Sequence, residues 1–109
     1  MIWPVVLTHD AARDLKDIVG YVDSCGIPGR GDHVYEQIVT ALRSLSSSPH
    51  RGVFPRELSD LGAKEFREIF FKPYRIIYKV EDKRVLVLLI ADGRRDMPTL
   101  LQRRLLHAD

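Results

Sequence analysis

The chain has 109 residues, 45% of them apolar and 29% charged, with a net charge of +2; this suits one domain spanning 1–109 and excludes a disordered or fibrous chain. A single cysteine, Cys25, excludes an internal disulfide and fits a reducing compartment, while four scattered histidines offer no metal-ligand spacing. The longest apolar run, residues 85–91, is too short to cross a bilayer and no signal-like segment precedes it, so the expectation is a cytoplasmic protein with no membrane partner, metal or cofactor.

Residues 3–7 read as a short strand, and Pro4 places it at a sheet edge or end. Thr8 is a candidate N-cap and Asp10 complements the dipole of the helix that follows. Ala11, Leu15, Ile18, Val19 and Val22 recur at helical spacing and predict an amphipathic helix over 9–24. Gly26, Pro28, Gly29 and Gly31 break the chain. Val34, Ile38, Ala41, Leu42 and Leu45 then repeat the helical spacing, which predicts a hairpin of two helices. Pro49 helps to end it, and residues 53–64 show little periodicity and are expected to be irregular. Residues 66–72, 74–81 and 84–91 are rich in β-branched and aromatic side chains. Their links are too short for anything but antiparallel neighbours, so they form a meander. The last strand is apolar on both faces and should be central or covered on both sides. Asp96 and Pro98 open a closing helix over 97–107. The expected order is β-α-α-β-β-β-α, an α+β fold.

Charge is uneven along the chain. Residues 1–36 hold six acids and three bases, residues 37–109 nine acids and fourteen bases, and most of the bases are arginines. Arginine suits two-pronged contacts to phosphate or carboxylate. In the closing helix Met97, Leu100, Leu101 and Leu105 make one stripe with Arg104 in its middle. Arg104 must therefore snorkel or find a buried partner, with Asp92, Asp96 or an acid of the first helix as candidates, and it reads as structural. Arg103 reads as solvated surface. Arg94 and Arg95 follow Gly93 in a loop at a strand end, where binding residues are often held by a rigid scaffold. Arg67 and Arg75 lie on adjacent predicted strands. If their faces coincide, they form one cationic patch with Arg94 and Arg95; otherwise they salt-bridge to Glu57, Glu65, Glu68 or Asp96. Tyr74 and Tyr78 share the face opposite Arg75 and read as core or interface. His50 has nothing in the sequence to orient it, and His107 reads as exposed and inert. The glycines at 26, 29 and 31 make a helix–helix turn and no nucleotide fingerprint, because no strand precedes them.

Residues 8–22 resemble the opening "LTPAAxxDLxxIxxYI" of the RelE/ParE superfamily of bacterial toxins. Pro49-His-Arg-Gly52, Arg56-Glu-Leu58, Phe66-Arg-Glu68, Tyr74-Arg-Ile-Ile-Tyr78 and Asp92-Gly-Arg-Arg-Asp96 continue the resemblance in order over nearly the whole chain. It implies a RelE/ParE-like fold, with an N-terminal strand and helical hairpin packed on a small antiparallel sheet. It also implies the growth-inhibiting toxin of a type II toxin–antitoxin module. Its partner would be a cognate antitoxin, and it would meet operator DNA only through that antitoxin. RelE-like members cut mRNA on the ribosome with basic residues and a tyrosine, without metal; ParE-like members poison DNA gyrase. Arg67, Arg75 and Arg95 fall where RelE-like members carry basic residues and would be the catalytic set on that branch. However, Ile69 stands where a further lysine is expected, and Leu101 stands near the place of the terminal-helix tyrosine. A metal-free ribonuclease needs a base, an acid and cations. The ending "RRDMPTLLQRRL" is closer to ParE-like members. The resemblance thus implies a gyrase-directed toxin with Arg94 and Arg95 as target-binding residues, and a ribosome-dependent mRNA endoribonuclease as the alternative.

Overall fold

A computed structural model describes residues 2–106. In chain order the elements are β1 (Val5–Leu7), α1 (His9–Ser24), α2 (Arg30–Ser47), α3 (Arg56–Ser59), β2 (Phe66–Phe71), β3 (Tyr74–Glu81), β4 (Arg84–Asp92) and α4 (Met97–Leu101), which continues as a π-helical segment, Gln102–Leu106. Thr8 caps α1, its Oγ1 accepting the Ala11 N–H at 3.1 Å. The helical hairpin is tied at its turn by Asp23, whose Oδ1 accepts the Gly31 N–H at 3.1 Å. Asp82 and Lys83 both take positive φ, which matches the turn to the twist of the β3–β4 hairpin.

The sheet has the order β1-β4-β3-β2. β2, β3 and β4 form the expected antiparallel meander, but β1 joins β4 in parallel, with Val5 opposite Val85. The sheet is therefore mixed. Parallel neighbours need a long connection, and the helical hairpin plus two meander strands supplies it. β1 lies at the edge, as Pro4 signals.

Each sheet face buries its own cluster. On one, Ala11, Leu15, Ile38, Leu42 and Leu45 of the hairpin pack on Ile69, Ile76, Tyr78, Val85 and Val87. On the other, Leu58 of α3 and Met97, Leu100 and Leu101 of α4 pack on Phe66, Ile77 and Leu89. This is why β4 is apolar on both faces. Residues 53–64 are more ordered than their pattern suggests: Val53 bridges Glu68 and α3 forms one turn. Four residues are too few for a helical period to show. The closing helix is α-helical only to Leu101, and residue 107 of the expected span, together with the His107 reading, lies outside the described residues. Among the described residues, no helix is long and apolar enough to cross a membrane.

Candidate functional site

Arg75 is the most constrained of the candidate arginines. Its Nη1 and Nη2 donate to the two carboxylate oxygens of Glu57 at 2.8 Å each, and its Nε donates to Glu68 Oε1 at 2.7 Å. Glu57 comes from α3 and Glu68 from the neighbouring strand, so the triad ties the connecting segment to the sheet. The Arg75 side chain is only 14% exposed. Its pKa is raised further by these carboxylates, led by Glu57, and the Glu57 carboxyl is held below its ordinary value by Arg75 in turn. Sequence reasoning named Glu57 and Glu68 among the possible partners, and both are used.

Arg67 does not join Arg75. The β2–β3 register sets Arg67 opposite Tyr78 and Phe70 opposite Arg75. Directly paired residues share a face, so Arg67 lies on the hairpin face and Arg75 on the other. The single cationic patch of Arg67, Arg75, Arg94 and Arg95 is therefore not formed. Register decides this, and sequence periodicity within one strand carries no information about its neighbour's phase. Arg67 Nη1 donates to the carbonyls of His50 at 3.2 Å and Gly52 at 2.9 Å.

Arg75 does lie beside the Arg94–Arg95 loop. A Cβ on Gly93 would stand 2.9 Å from Arg75 Cδ, so glycine is what lets the loop cross the arginine stem. Arg94 is exposed and folds back on Asp92, with Nε to Oδ1 at 3.0 Å and Nη2 to Oδ2 at 2.6 Å. That pairing holds the Asp92 carboxyl below its ordinary value. Arg95 is exposed and has no carboxylate partner among the described residues. Both arginines line a cleft of about 430 Å³ with Asp17, Ile18 and Tyr21 of α1, and with Tyr74 and Ile90 of the sheet. Tyr21 is 71% exposed, which is unusual for so large a ring and places it at the cleft rim. Sequence reasoning did not single out Tyr21; its position off the apolar stripe of α1 was the available signal.

Asp14 also lines this cleft and is held from below by Arg104. β1 ends at Leu7, where the Thr8 N–H donates to the Val87 carbonyl at 3.0 Å, and beyond that point β4 has an open edge. A bulge at Leu88 follows, since Ile77 faces Leu89 but Tyr78 faces Val87. Asp14 Oδ2 accepts the Ile90 N–H at 3.1 Å, and Arg104 Nη1 donates to the Leu88 carbonyl at 3.3 Å. Arg104 Nη2 pairs with Asp14 Oδ1. The ion pair thus takes the place of the missing strand and satisfies backbone groups that burial would leave costly. Burial pushes the Asp14 carboxyl above its ordinary value, against the hydrogen bonds from Arg104 and Ile90. Arg104 is structural, with an acid of the first helix as its partner, as its place on the stripe indicates.

Besides its arginines, the titratable groups of this cleft are Asp14, Asp17, Asp92, Tyr21 and Tyr74. Tyr78 is fully buried, and its hydroxyl accepts the Gly52 N–H at 2.9 Å on the hairpin side of the sheet. Burial raises the pKa of both Tyr78 and Tyr74. Leu101 is buried among the apolar side chains of α4, and Ile69 lies in the hairpin-side core. Among the described residues, no histidine lines the cleft. Among the described residues, no cluster of His, Cys, Asp or Glu could hold a metal ion.

The fold has known relatives. A chain of the chromosomal ParDE toxin–antitoxin system of P. aeruginosa superposes with a TM-score of 0.69 at 19% identity, covering 84% of this chain and 96% of that one. A chain of the RelBE2 toxin–antitoxin complex of Mycobacterium tuberculosis gives 0.60 at 22% identity, with 84% and 92% covered. A doubly substituted RelE toxin of E. coli in the free state gives 0.62 at 18% identity, with 92% and 93% covered. No curated protein matches the chain. Residues 5–97 match the family model described as the ParE toxin of the type II toxin–antitoxin system parDE. With the strand, helical hairpin, sheet and Arg94–Arg95 loop all inside or touching that span, the chain belongs to the ParE family of type II toxins.

Proposed function

We propose that this ParE-family toxin inhibits growth by binding DNA gyrase through the cleft between α1 and the Arg94–Arg95 loop, and that a cognate antitoxin neutralises it. The observation that carries the reading is the engagement of Arg75. All three of its nitrogens are committed to Glu57 and Glu68, so it is not presented to a phosphate. With Arg67 on the opposite face, Arg67, Arg75 and Arg95 do not converge on one phosphate, and Tyr74 and Tyr78 of the sheet are buried. What remains exposed is a surface: two arginines and a tyrosine, residue types that anchor protein interfaces. The antitoxin reading is supported by family membership and by the complexes in which the structural relatives were found.

The test is induction in bacteria without antitoxin, with parallel pulse-labelling of DNA and protein synthesis, and gyrase supercoiling with purified toxin. DNA synthesis should fall first and supercoiling should be inhibited. Arg95→Ala should weaken inhibition by roughly tenfold or more while the melting temperature stays within about 1 °C, since the side chain is exposed and has no ion-pair partner among the described residues. A folded Arg95→Ala toxin with full potency would remove the cleft from the mechanism. Cleavage of mRNA on the ribosome, with gyrase unaffected, would overturn the gyrase reading.

A further inference from the structure

A second cationic surface lies at the other edge of the sheet. Between Glu36 and Glu57 the chain has no acidic residue, and Arg43, His50, Arg51 and Arg56 fall in that stretch. The loop after α2 runs beside β2, where Val53 bridges Glu68, two strands away from β4 and its cleft. Arg51 Nε donates to Ser44 Oγ at 2.9 Å. Arg67 reaches over from β2 to grip the carbonyls on either side of Arg51, those of His50 and Gly52. Both guanidiniums are therefore fixed on one short loop.

Neither is neutralised. Among the described residues the arginine ion pairs belong to Arg75, Arg94 and Arg104, and Arg51 and Arg67 have no carboxylate partner. Both Nη groups of Arg51, and Nε and Nη2 of Arg67, donate to no other described residue. Aromatic rings accompany the charges. The Arg67 guanidinium stands 4.6 Å from the centre of the Phe54 ring, which is 41% exposed. The Trp3 ring meets the His50 imidazole edge-on at 5.8 Å.

We propose that Arg51, Arg67 and Phe54 form a contact for an unpaired nucleic-acid strand, with the guanidiniums on neighbouring phosphates and the Phe54 ring against a base. Carbonyl partners orient a guanidinium without cancelling its charge, and the free N–H forks match phosphate oxygens. A half-exposed aromatic ring beside such cations is the arrangement that binds single strands with little sequence preference. An acidic peptide would answer the charges but leave the ring without a role. The proposal stands apart from the gyrase reading, since it uses none of Arg94, Arg95 or Tyr21.

The experiment is fluorescence anisotropy of the full chain with a labelled oligothymidine strand, a duplex of the same length and a labelled polyglutamate, at low and at physiological salt. The strand should bind best and weaken with salt. Arg51→Gln should lower its affinity about tenfold and flatten the salt dependence by roughly 0.7 of a log unit per log unit of salt, one phosphate's share. Phe54→Leu should lower strand affinity about fivefold or more and leave the duplex unchanged. Arg94→Gln should change neither. Arg67 also holds the loop, so Arg51→Gln, which breaks only the link to Ser44, is the deciding variant. The proposal is overturned if the strand does not bind at low salt, or if Arg51→Gln and Phe54→Leu bind it as the parent does. It is equally overturned if polyglutamate binds as tightly as the strand, which would assign the surface to an acidic protein.

Discussion

Two glycines show how local geometry constrains single residues. A Cβ on Gly52 would stand 2.5 Å from the Tyr78 hydroxyl oxygen and 2.8 Å from the Glu68 carbonyl. Gly52→Ala should therefore push the loop off β2, break the Gly52–Tyr78 hydrogen bond and destabilise by about 2 kcal/mol or more. Gly20 sits in the exposed middle of α1 with nothing within 4 Å of its would-be Cβ. Gly20→Ala should stabilise by about 0.5–1 kcal/mol, because alanine loses less backbone freedom in a helix. Thermal melting of the two variants should move in opposite directions. Arg75 governs a second residue-scale expectation. Arg75 holds the Glu57 carboxyl below its ordinary 4.5 in the folded chain, so below that value the unfolded state binds more protons. The contribution of the pair is then fully present above about pH 4.5 and is lost as pH falls through the lowered folded value. Urea titrations at neutral and acid pH should show Glu57→Gln less stable at neutral pH, with the gap narrowing on acidification. A gap that stays constant would mean that the ion pair contributes nothing through its charge.

At the scale of elements, the open edge of β4 explains how the chain's end is held. β1 is three residues long and stops before Leu88, and the Asp14–Arg104 pair covers what it leaves. Removing one partner of a buried pair strands the other charge, which costs about 3–5 kcal/mol in full burial and less here because Arg104 is 20% exposed. Arg104→Ala should raise the Asp14 pKa further and release the last segment. Faster amide exchange over residues 102–105, read by NMR together with the Asp14 titration, is the expected result. Unchanged exchange would show that Leu100 and Leu101 hold the segment alone. The helices, the meander and the inward turn of Arg104 are legible in the sequence because each rests on spacing within one element. The turn α3 is not, since four residues show no period, and neither is the mixed sheet, since nothing in residues 3–7 says which strand they will join.

Across the whole molecule, the sheet separates two cores that share no side chain. Ile38 is fully buried on the hairpin side and Leu101 is 1% exposed on the other. Each truncation to alanine should cost about 2–5 kcal/mol, and the double variant should equal the sum within about 0.5 kcal/mol, measured by chemical denaturation. A larger departure would mean that strain passes through the sheet. The same division decides function. Periodicity along β2 and β3 left open whether Arg67 and Arg75 share a face, and the register of two strands separates them. Neighbouring residues suffice to set the two long helices, the meander strands, the closing helix, their apolar stripes, the Thr8 and Asp96 caps and the family. Which arginines are neutralised, which backbone groups a side chain completes and which cations remain exposed are set by long-range folding. Those depend on partners such as Glu57, Asp14 and the His50 carbonyl, which are brought into contact by folding over long separations in the chain.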